Sequence, residues 1–121
     1  MSDARPEDFL PLSAQEFQIL LSLADQERHG YGIMQEVEAR TGGELRLGPG
    51  TLYGAIKRMR GRGRGRGLIE EAGEREEGDE RRRYYRLTAL GRAVAVAEAG
   101  RLQALVEDAR VKRLLPFPRS A

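Results

Sequence analysis

The segment 50–58 holds the side chains with the greatest potential for binding chemistry. Its hydroxyl and cationic groups belong to Thr51, Tyr53, Lys57 and Arg58. Tyr53 lies on a flank of the predicted helix, and the other three fall on the side opposite its apolar stripe. Hydroxyls and cations bond phosphate oxygens and base edges, and the small residues Gly50 and Gly54 would let this helix approach a DNA groove closely. The segment therefore predicts contact with nucleic acid. The simpler alternative is an amphipathic helix with a solvated basic face.

Catalytic chemistry has few candidates in this chain. Among 121 residues there is no Cys and a single His, His29, which excludes thiol catalysis, cysteine-ligated metal sites and two-histidine motifs. No arrangement of an acid and a serine around that histidine is readable. The sequence thus predicts a protein that is not an enzyme and that uses no catalytic residue, cofactor or metal.

Charge is arranged in blocks along the chain, although the net charge is only +2. Residues 57–67 carry +6, residues 68–80 carry −6 and residues 81–92 carry +5. Such blocks indicate a local electrostatic function. No apolar run approaches the ~18–20 residues needed to span a bilayer, and the acidic N-terminus lacks the apolar region of a secretory signal. These features predict a cytoplasmic location and no membrane partner.

Apolar spacing and capping residues predict the helices that must position these groups. A capping box beginning at Ser13 opens a helix over 14–26, and a second helix is expected over 31–41. Residues 44–47 alternate between polar and apolar side chains, which indicates a short strand. The third helix carries the segment described above and buries an apolar stripe of Leu52, Ala55, Ile56 and Met59.

A β-hairpin with a charged tip is expected to follow the third helix. Residues 68–72 form its first predicted strand, residues 73–80 its turn and residues 82–87 its return strand. Thr88 is the predicted N-cap of a long helix over 89–115. The expected fold is mainly α with a small β-hairpin, that is, a winged helix-turn-helix followed by a long C-terminal dimerisation helix.

This order of elements predicts four regions: a flexible N-terminal arm (1–12), a DNA-binding domain (13–88), a dimerisation helix (89–115) and a tail (116–121). The dimerisation helix has the 4-3-4-3 apolar spacing of a short coiled coil, formed by Ala95, Ala99, Leu102, Val106 and Ala109. The first helix is more apolar than one core requires, so Phe17 and Leu20 are predicted to join the same interface. The expected assembly is a homodimer.

Five motifs in the chain resemble those of the PadR family of transcriptional regulators. Spread over residues 12–110 and in the family's order, they are LSAQEFQILLSL at 12–23, HGYGI at 29–33, GTLY at 50–53, GLIE at 67–70 and RRYYRLTALG at 82–91. The resemblance implies a cytoplasmic homodimeric repressor that binds double-stranded operator DNA. It also implies control of detoxification, phenolic-acid or drug-efflux genes, with a small-molecule effector of unknown identity as a further partner. The single C-terminal helix is similar to the family's short branch.

The same resemblance assigns roles to particular residues. The implied contacts with the operator are made by Tyr31, Thr51, Tyr53, Lys57, Arg58, Arg82 and Arg83. For Tyr31 and Tyr53, plain core packing is the alternative interpretation. Tyr85 shares a strand face with Leu87 and is expected in the core. Because the chain has no Trp, an effector that stacks on tryptophan is not expected.

One segment departs from the family's spacing. Residues 60–67 alternate Arg and Gly where the family has a shorter connection. These repeats could anchor phosphates beside the groove or form a passive, disordered loop, and the second interpretation is favoured. Two other functions stay open. The repeats are typical of proteins that bind RNA or single strands, and the acidic block 68–80 would suit a winged-helix interaction module that does not bind DNA.

Overall fold

The chain folds into helices that share a core with the base of a small three-stranded sheet, as described by a computed structural model over residues 4–61 and 65–119. The elements in chain order are helix α1 (Ala14–Ser22), strand β1 (Arg28–His29), helix α2 (Gly30–Arg40), helix α3 (Pro49–Met59), strand β2 (Ile69–Glu77), strand β3 (Glu80–Leu87) and helix α4 (Ala89–Val111). A 3-10 helix, Pro6–Phe9, precedes them. The predicted fold class is confirmed: α2 and α3 form the helix-turn-helix, and β2 and β3 form the wing.

Both predicted helix caps are confirmed by their hydrogen bonds. The Glu16 N–H donates to Ser13 Oγ and the Ser13 N–H donates to Glu16 Oε1, each over 3.1 Å. At the start of α4 the Gly91 N–H donates to Thr88 Oγ1 over 2.9 Å. The Thr88 hydroxyl in turn donates to the carbonyl of Gly67 over 2.5 Å. These bonds satisfy first-turn donors and tie α4 to the entrance of the wing.

The strand predicted over residues 44–47 is wrong, because this segment is a loop after α2. Leu47 is buried and Leu45 half-buried, whereas the residues that alternate with them are exposed. The Leu45 N–H donates to Thr41 Oγ1 over 3.1 Å, which closes the turn that follows α2. The alternation therefore reflects a loop that places leucines on the core, and within the described part of the chain no strand pairs with it.

The third strand is β1, which sequence patterns did not indicate. It pairs antiparallel with β3, Arg28 opposite Tyr85 and His29 opposite Tyr84, so β3 is the central strand. To reach this position the chain leaves α1 at Ser22, before the predicted end at residue 26. The Arg28 Nε donates to the Ser22 carbonyl over 2.6 Å and stabilises this turn.

The wing has longer strands and a tighter turn than predicted. β2 continues through the acidic residues to Glu77, and the turn consists of Gly78, with φ of 62°, and Asp79. Glu70, Glu74 and Glu76 of this strand lie opposite arginines of β3, although Glu77 lies opposite Glu80. Opposite charges across a strand pair stabilise it, so a stretch that looks like a polar turn becomes strand.

A single hydrophobic core is shared by α1, α2, α3, the base of the wing and α4. The predicted stripe of α3 is fully part of it, as is Tyr85 with 4% exposure. From α4 the core receives Val94, and Gly91 packs so closely on Leu68 that a Cβ would lie 1.9 Å from the Leu68 carbonyl oxygen. The regions predicted on the two sides of residue 88, the DNA-binding domain and the dimerisation helix, therefore share this core.

The N-terminal segment is packed, contrary to the prediction of a flexible arm over 1–12. The 3-10 helix lies against α4, and Phe9 is half-buried on the core. Leu12 is buried, and its N–H donates to the Glu98 carboxylate over 2.9 Å. Apolar contacts and this bond order the segment from residue 5 onward, while residues 1–3 lie outside the described part of the chain.

Helix α4 ends at Val111, ahead of the predicted end at residue 115. Arg113 has a φ of 64°; its N–H donates to the Arg110 carbonyl over 2.9 Å, and the Leu114 N–H donates to the Ala109 carbonyl over 2.8 Å. This pair of bonds is a Schellman motif, so the backbone ends the helix before the prolines are reached. No helix within residues 4–61 and 65–119 is long and apolar enough to cross a membrane.

Candidate nucleic-acid interface

The outward face of α3 presents the binding side chains predicted for that helix. Thr51, Tyr53, Lys57 and Arg58 are all exposed, Tyr53 to 46%. Their orientation follows from the apolar stripe on the opposite side, whose burial determines the rotation of the helix about its axis. Since α3 is the second helix of the helix-turn-helix, this is the face that such folds place in the major groove.

The two cations of α3 differ electrostatically from most arginines in the chain. Neither Lys57 nor Arg58 forms an ion pair with any residue in the described ranges 4–61 and 65–119. At the other end of the helix the N-cap residue, Gly48, provides no side-chain hydrogen bond, and residues 49–51 are exposed. Positive charge on this face is therefore available to an external anion.

Four predicted contact residues meet in one cleft between α2, α3 and the wing. Its volume is about 390 Å³, and its lining includes Tyr31, Tyr53, Arg82 and Arg83. Tyr31 is 52% exposed, and the Arg82 guanidinium lies 5.6 Å from the centre of its ring. Both tyrosines are thus surface residues and not the core residues of the alternative interpretation. The other three predicted contacts, Thr51, Lys57 and Arg58, lie outside the cleft on α3.

The arginines of β3 are matched by carboxylates, and most of these belong to the same hairpin. Arg82 lies 2.6 Å from Glu80 and 3.8 Å from Glu77, and the other three arginines of the strand form comparable pairs, recorded for Arg81, Arg83 and Arg86. The Glu71 carboxylate, foremost among its neighbours, raises the pKa of Arg83. The wing therefore carries many charges but little unbalanced positive charge. The sequence blocks of +5 and −6 show this balance, whereas only the structure shows which charges pair.

His29 connects the helix-turn-helix to the wing. As N-cap of α2 it accepts a hydrogen bond at Nδ1 from the Gly32 N–H over 2.9 Å, and Arg82 Nη1 lies 3.3 Å from the same nitrogen. Burial and, after it, the Arg82 charge lower the pKa of His29. A neutral ring is what the acceptor role at Nδ1 requires. The histidine is thus structural, and the cue available in the sequence was its position directly before the helix.

The ends of the Gly-Arg segment are bound to the protein itself. Arg60 lies 2.8 Å from Glu71, and Arg66 lies 3.1 Å from Glu16 of α1. The Arg66 guanidinium also lies 5.5 Å from the centre of the Phe9 ring. Both arginines therefore have partners within the chain. Residues 62–64, which carry the two remaining arginines, lie outside the described part.

The predicted dimer residues separate into two groups. Leu20 is 0% exposed and belongs to the chain's own core, so it offers no surface to a partner and that prediction is corrected. Phe17 is half-buried against the core. Along α4 the predicted seam lies at the surface, with Ala99 and Val106 exposed and Ala95, Leu102 and Ala109 partly exposed. The seam side chains of α4 are therefore accessible to a partner subunit.

Comparison with known proteins places this architecture in a family. The profile of the transcriptional regulator PadR-like family matches residues 19–97. Over 76 residues the chain is 34% identical to "Uncharacterized protein X" of Lysinibacillus sphaericus, a match that covers 62% of this chain and 65% of that protein. Over 81 residues it is 39% identical to an uncharacterized 37.1 kDa protein in transposon TN4556 of Streptomyces fradiae, covering 67% of this chain but only 21% of the relative.

Solved structures share the fold. A PadR family transcription regulator from Clostridium difficile superposes with a TM-score of 0.67 at 24% identity, covering 85% of this chain and all of the other, 100%. The protein smu.1704 from Streptococcus mutans superposes with a TM-score of 0.66 at 23% identity, covering 91% of this chain and 99% of the other. Together with the match to residues 19–97, these observations show that the chain belongs to the PadR-like family of transcriptional regulators.

Proposed function

We propose that this chain is a homodimeric repressor that binds double-stranded operator DNA. In this proposal α3 enters the major groove, the wing lies beside it along the backbone, and α4 joins the two subunits. Bound protein would repress transcription by occupying the operator. Control of detoxification or efflux genes in response to a small-molecule effector, which the family resemblance implies, is part of the same proposal.

The observation that carries the proposal is the unpaired positive charge on α3. Lys57 and Arg58 project from the exposed face of the second helix of the helix-turn-helix, with no carboxylate partner in residues 4–61 and 65–119. Exposed cations on a helix of this kind bind phosphates, and their neighbours Thr51 and Tyr53 present hydroxyls that bond phosphates or bases.

The cleft beside α3 supports the same orientation. Tyr31 and Tyr53 bring phenol hydroxyls to the space between the helix-turn-helix and the wing, where Arg82 and Arg83 also lie. Hydroxyls and guanidinium groups that converge beside a groove-binding helix are suited to hold the sugar-phosphate backbone and so to set the register of α3 on the duplex.

The two lysines of the chain provide a matched test, since Lys57 lies on α3 and Lys112 follows α4. Binding to a mixed-sequence 30-base-pair duplex and to fragments from upstream of the protein's own gene is measured by fluorescence anisotropy at several salt concentrations. If the dimer neutralises ~6–10 phosphates, log K falls with log salt at a slope of about −5 to −9. Lys57→Gln should weaken binding and make the slope shallower by about 1–2 units. Lys112→Gln should leave both the affinity and the slope unchanged.

Three results would contradict the proposal. Equal effects of the two lysine substitutions on duplex affinity would show that α3 does not contact the DNA. A preference for RNA or single-stranded competitors over duplex would favour the Arg-Gly repeats as the binding element. A slope shallower than about −2, or no duplex binding at low salt, would favour the protein-interaction module.

A further inference from the structure

A β-bulge in the wing brings two carboxylates to the same side of one arginine. In β2, Glu71 lies opposite Tyr85 and Glu74 lies opposite Arg83, so three steps along β2 match two steps along β3. Two residues of β2, Ala72 and Gly73, therefore lie opposite the single residue Tyr84 of β3, and Gly73 has a φ of 95°. Without a bulge, residues three apart on a strand face opposite sides of the sheet. With it, they face the same side.

As a result the Arg83 guanidinium lies between the two carboxylates. Its Nη1 is 3.5 Å from Glu71 Oε1 and its Nη2 is 3.6 Å from Glu74 Oε1, while the arginine side chain keeps 50% exposure. Glu71 also lies 2.8 Å from Arg60 at the end of α3, and Glu74 lies 2.8 Å from Arg81. Glu74 lines the same cleft as Tyr31, Tyr53 and Arg83.

We propose that Glu71 and Glu74 act as internal competitors of DNA phosphate for Arg83 and so limit the affinity of the wing for the DNA backbone. This inference rests on the proposed DNA binding and adds a pair of residues that tunes it. A phosphate that approaches Arg83 competes with two carboxylates for the same guanidinium and lies next to their negative charge, which reduces the net gain from the contact.

The bulge places Glu71 and Glu74 beside Arg83, whereas two other acids of the wing can serve as controls. Glu76 and Asp79 are also exposed and carry the same charge, but neither forms an ion pair with residues in the described ranges 4–61 and 65–119. Both lie on the same hairpin, and their loss would change its net charge by the same amount. They therefore separate competition for Arg83 from a general decrease in acidity.

The test compares Glu71→Gln/Glu74→Gln with the control Glu76→Gln/Asp79→Asn in the full chain. Binding to the mixed-sequence 30-base-pair duplex is measured by anisotropy across salt concentrations. We expect the first variant to bind about 3- to 10-fold tighter than the control, with a salt slope steeper by about 1–2 units per dimer as Arg83 gains phosphate contacts. The same substitutions are then introduced with Arg83→Gln, and the advantage over the matched control should disappear.

The outcomes assign success or failure separately to the two proposals. Native protein that binds no duplex at low salt overturns DNA binding, and the competitor role with it. Native protein that binds duplex while the two double variants behave alike overturns the competitor role only. An advantage that persists without Arg83 also overturns it. Circular dichroism melting checks folding, and the single Glu74→Gln substitution, which spares the Arg60 contact, gives the same comparison if the double variant unfolds.

Discussion

The Tyr53 hydroxyl packs directly onto Gly30: a Cβ on Gly30 would lie only 2.2 Å from Tyr53 Oη and 2.6 Å from Cζ. The contact joins the first residue of α2 to the exposed face of α3. Because glycine lacks a side chain, the tyrosine ring can lie in the cleft with its hydroxyl beside the start of α2. The HGYGI and GTLY motifs thus meet in space, and the glycine of one determines where the tyrosine of the other can lie.

Substitution of this glycine should displace the tyrosine without unfolding the protein. In Gly30→Ala the new methyl group meets the far end of an exposed side chain, which can rotate away, so we expect a thermal midpoint within a few degrees of the native value. Duplex affinity should fall to the level of Tyr53→Ala. Anisotropy titrations of the two variants and of their combination check this, since the combined variant should be no weaker than either alone. Additive losses would show that Gly30 acts independently of Tyr53.

Two glycines of α4 should respond oppositely to the same change. Gly91→Ala would drive a methyl group to 1.9 Å from the Leu68 carbonyl oxygen, a backbone atom that cannot move alone. We expect a loss of about 2–4 kcal/mol in the free energy of unfolding. Gly100 has open space around it, so Gly100→Ala should gain up to about 1 kcal/mol in helix propensity. Urea unfolding of the two variants measures both values. A mild effect at Gly91 would contradict the close packing of α4 on the wing.

Glu98 should make stability depend on acid pH. Its side chain is 1% exposed, and it accepts bonds from Arg101 Nε over 2.5 Å and the Leu12 N–H over 2.9 Å. The hydrogen bond from Arg101 is the main reason that the pKa of Glu98 is lowered. A carboxyl with a lowered folded pKa stabilises the protein above its unfolded pKa, and this contribution is lost as pH falls through the folded pKa.

Glu98→Gln should therefore destabilise the protein at pH 7 by about 1–3 kcal/mol, and the difference from native should shrink as the pH is lowered from about 5 through the lowered folded pKa of Glu98. Urea unfolding across this range checks the trend. Glu107→Gln is the matched control in the same helix, because Glu107 forms an exposed pair with Arg110 worth about 0.5 kcal/mol or less. A difference that does not change with pH would contradict the role of the charged Glu98 carboxylate.

The dimer proposed through α4 should depend on one side of the helix. Val106 belongs to the predicted seam and is 36% exposed, whereas Ala104 is exposed on the opposite side. Val106→Glu should shift the protein toward monomer in sedimentation velocity because it buries an unpaired charge in the interface. Ala104→Glu should leave the dimer intact. Equal behaviour of the two variants would place the interface elsewhere.

Shortening the Gly-Arg segment should leave the fold and the dimer intact. Deletion of residues 61–64 removes part of a connection whose ends are held by other contacts of Arg60 and Arg66. Loop closure changes by only ~1 kcal/mol or less, and the salt slope of duplex binding should become shallower by ~2 units at most. Melting, sedimentation and anisotropy measure these effects. A folded dimer that had lost all nucleic-acid binding would show that the repeats, and not α3, are the main binding element.

Local patterns in the sequence were sufficient to predict most of the elements and the outward face of α3. The capping residues Ser13 and Thr88 and the stripe beneath α3 depend on neighbours within a helical turn or two, and the structure confirms them. Exposure of Thr51, Lys57 and Arg58 follows from the same periodicity, because the rotation of an amphipathic helix is determined by its own apolar residues.

Tertiary structure alone decided which distant residues meet. Pairing of β1 with β3, the Leu12–Glu98 bond and the contact of Tyr53 with Gly30 join segments that no local periodicity relates. Charge blocks of the wing were visible in the sequence, but their neutralisation depends on strand register and on one extra residue at Gly73. Register decides which charges lie opposite each other, and it is set by the tight turn at Gly78 and by the residues at the base of the hairpin that are buried in the core.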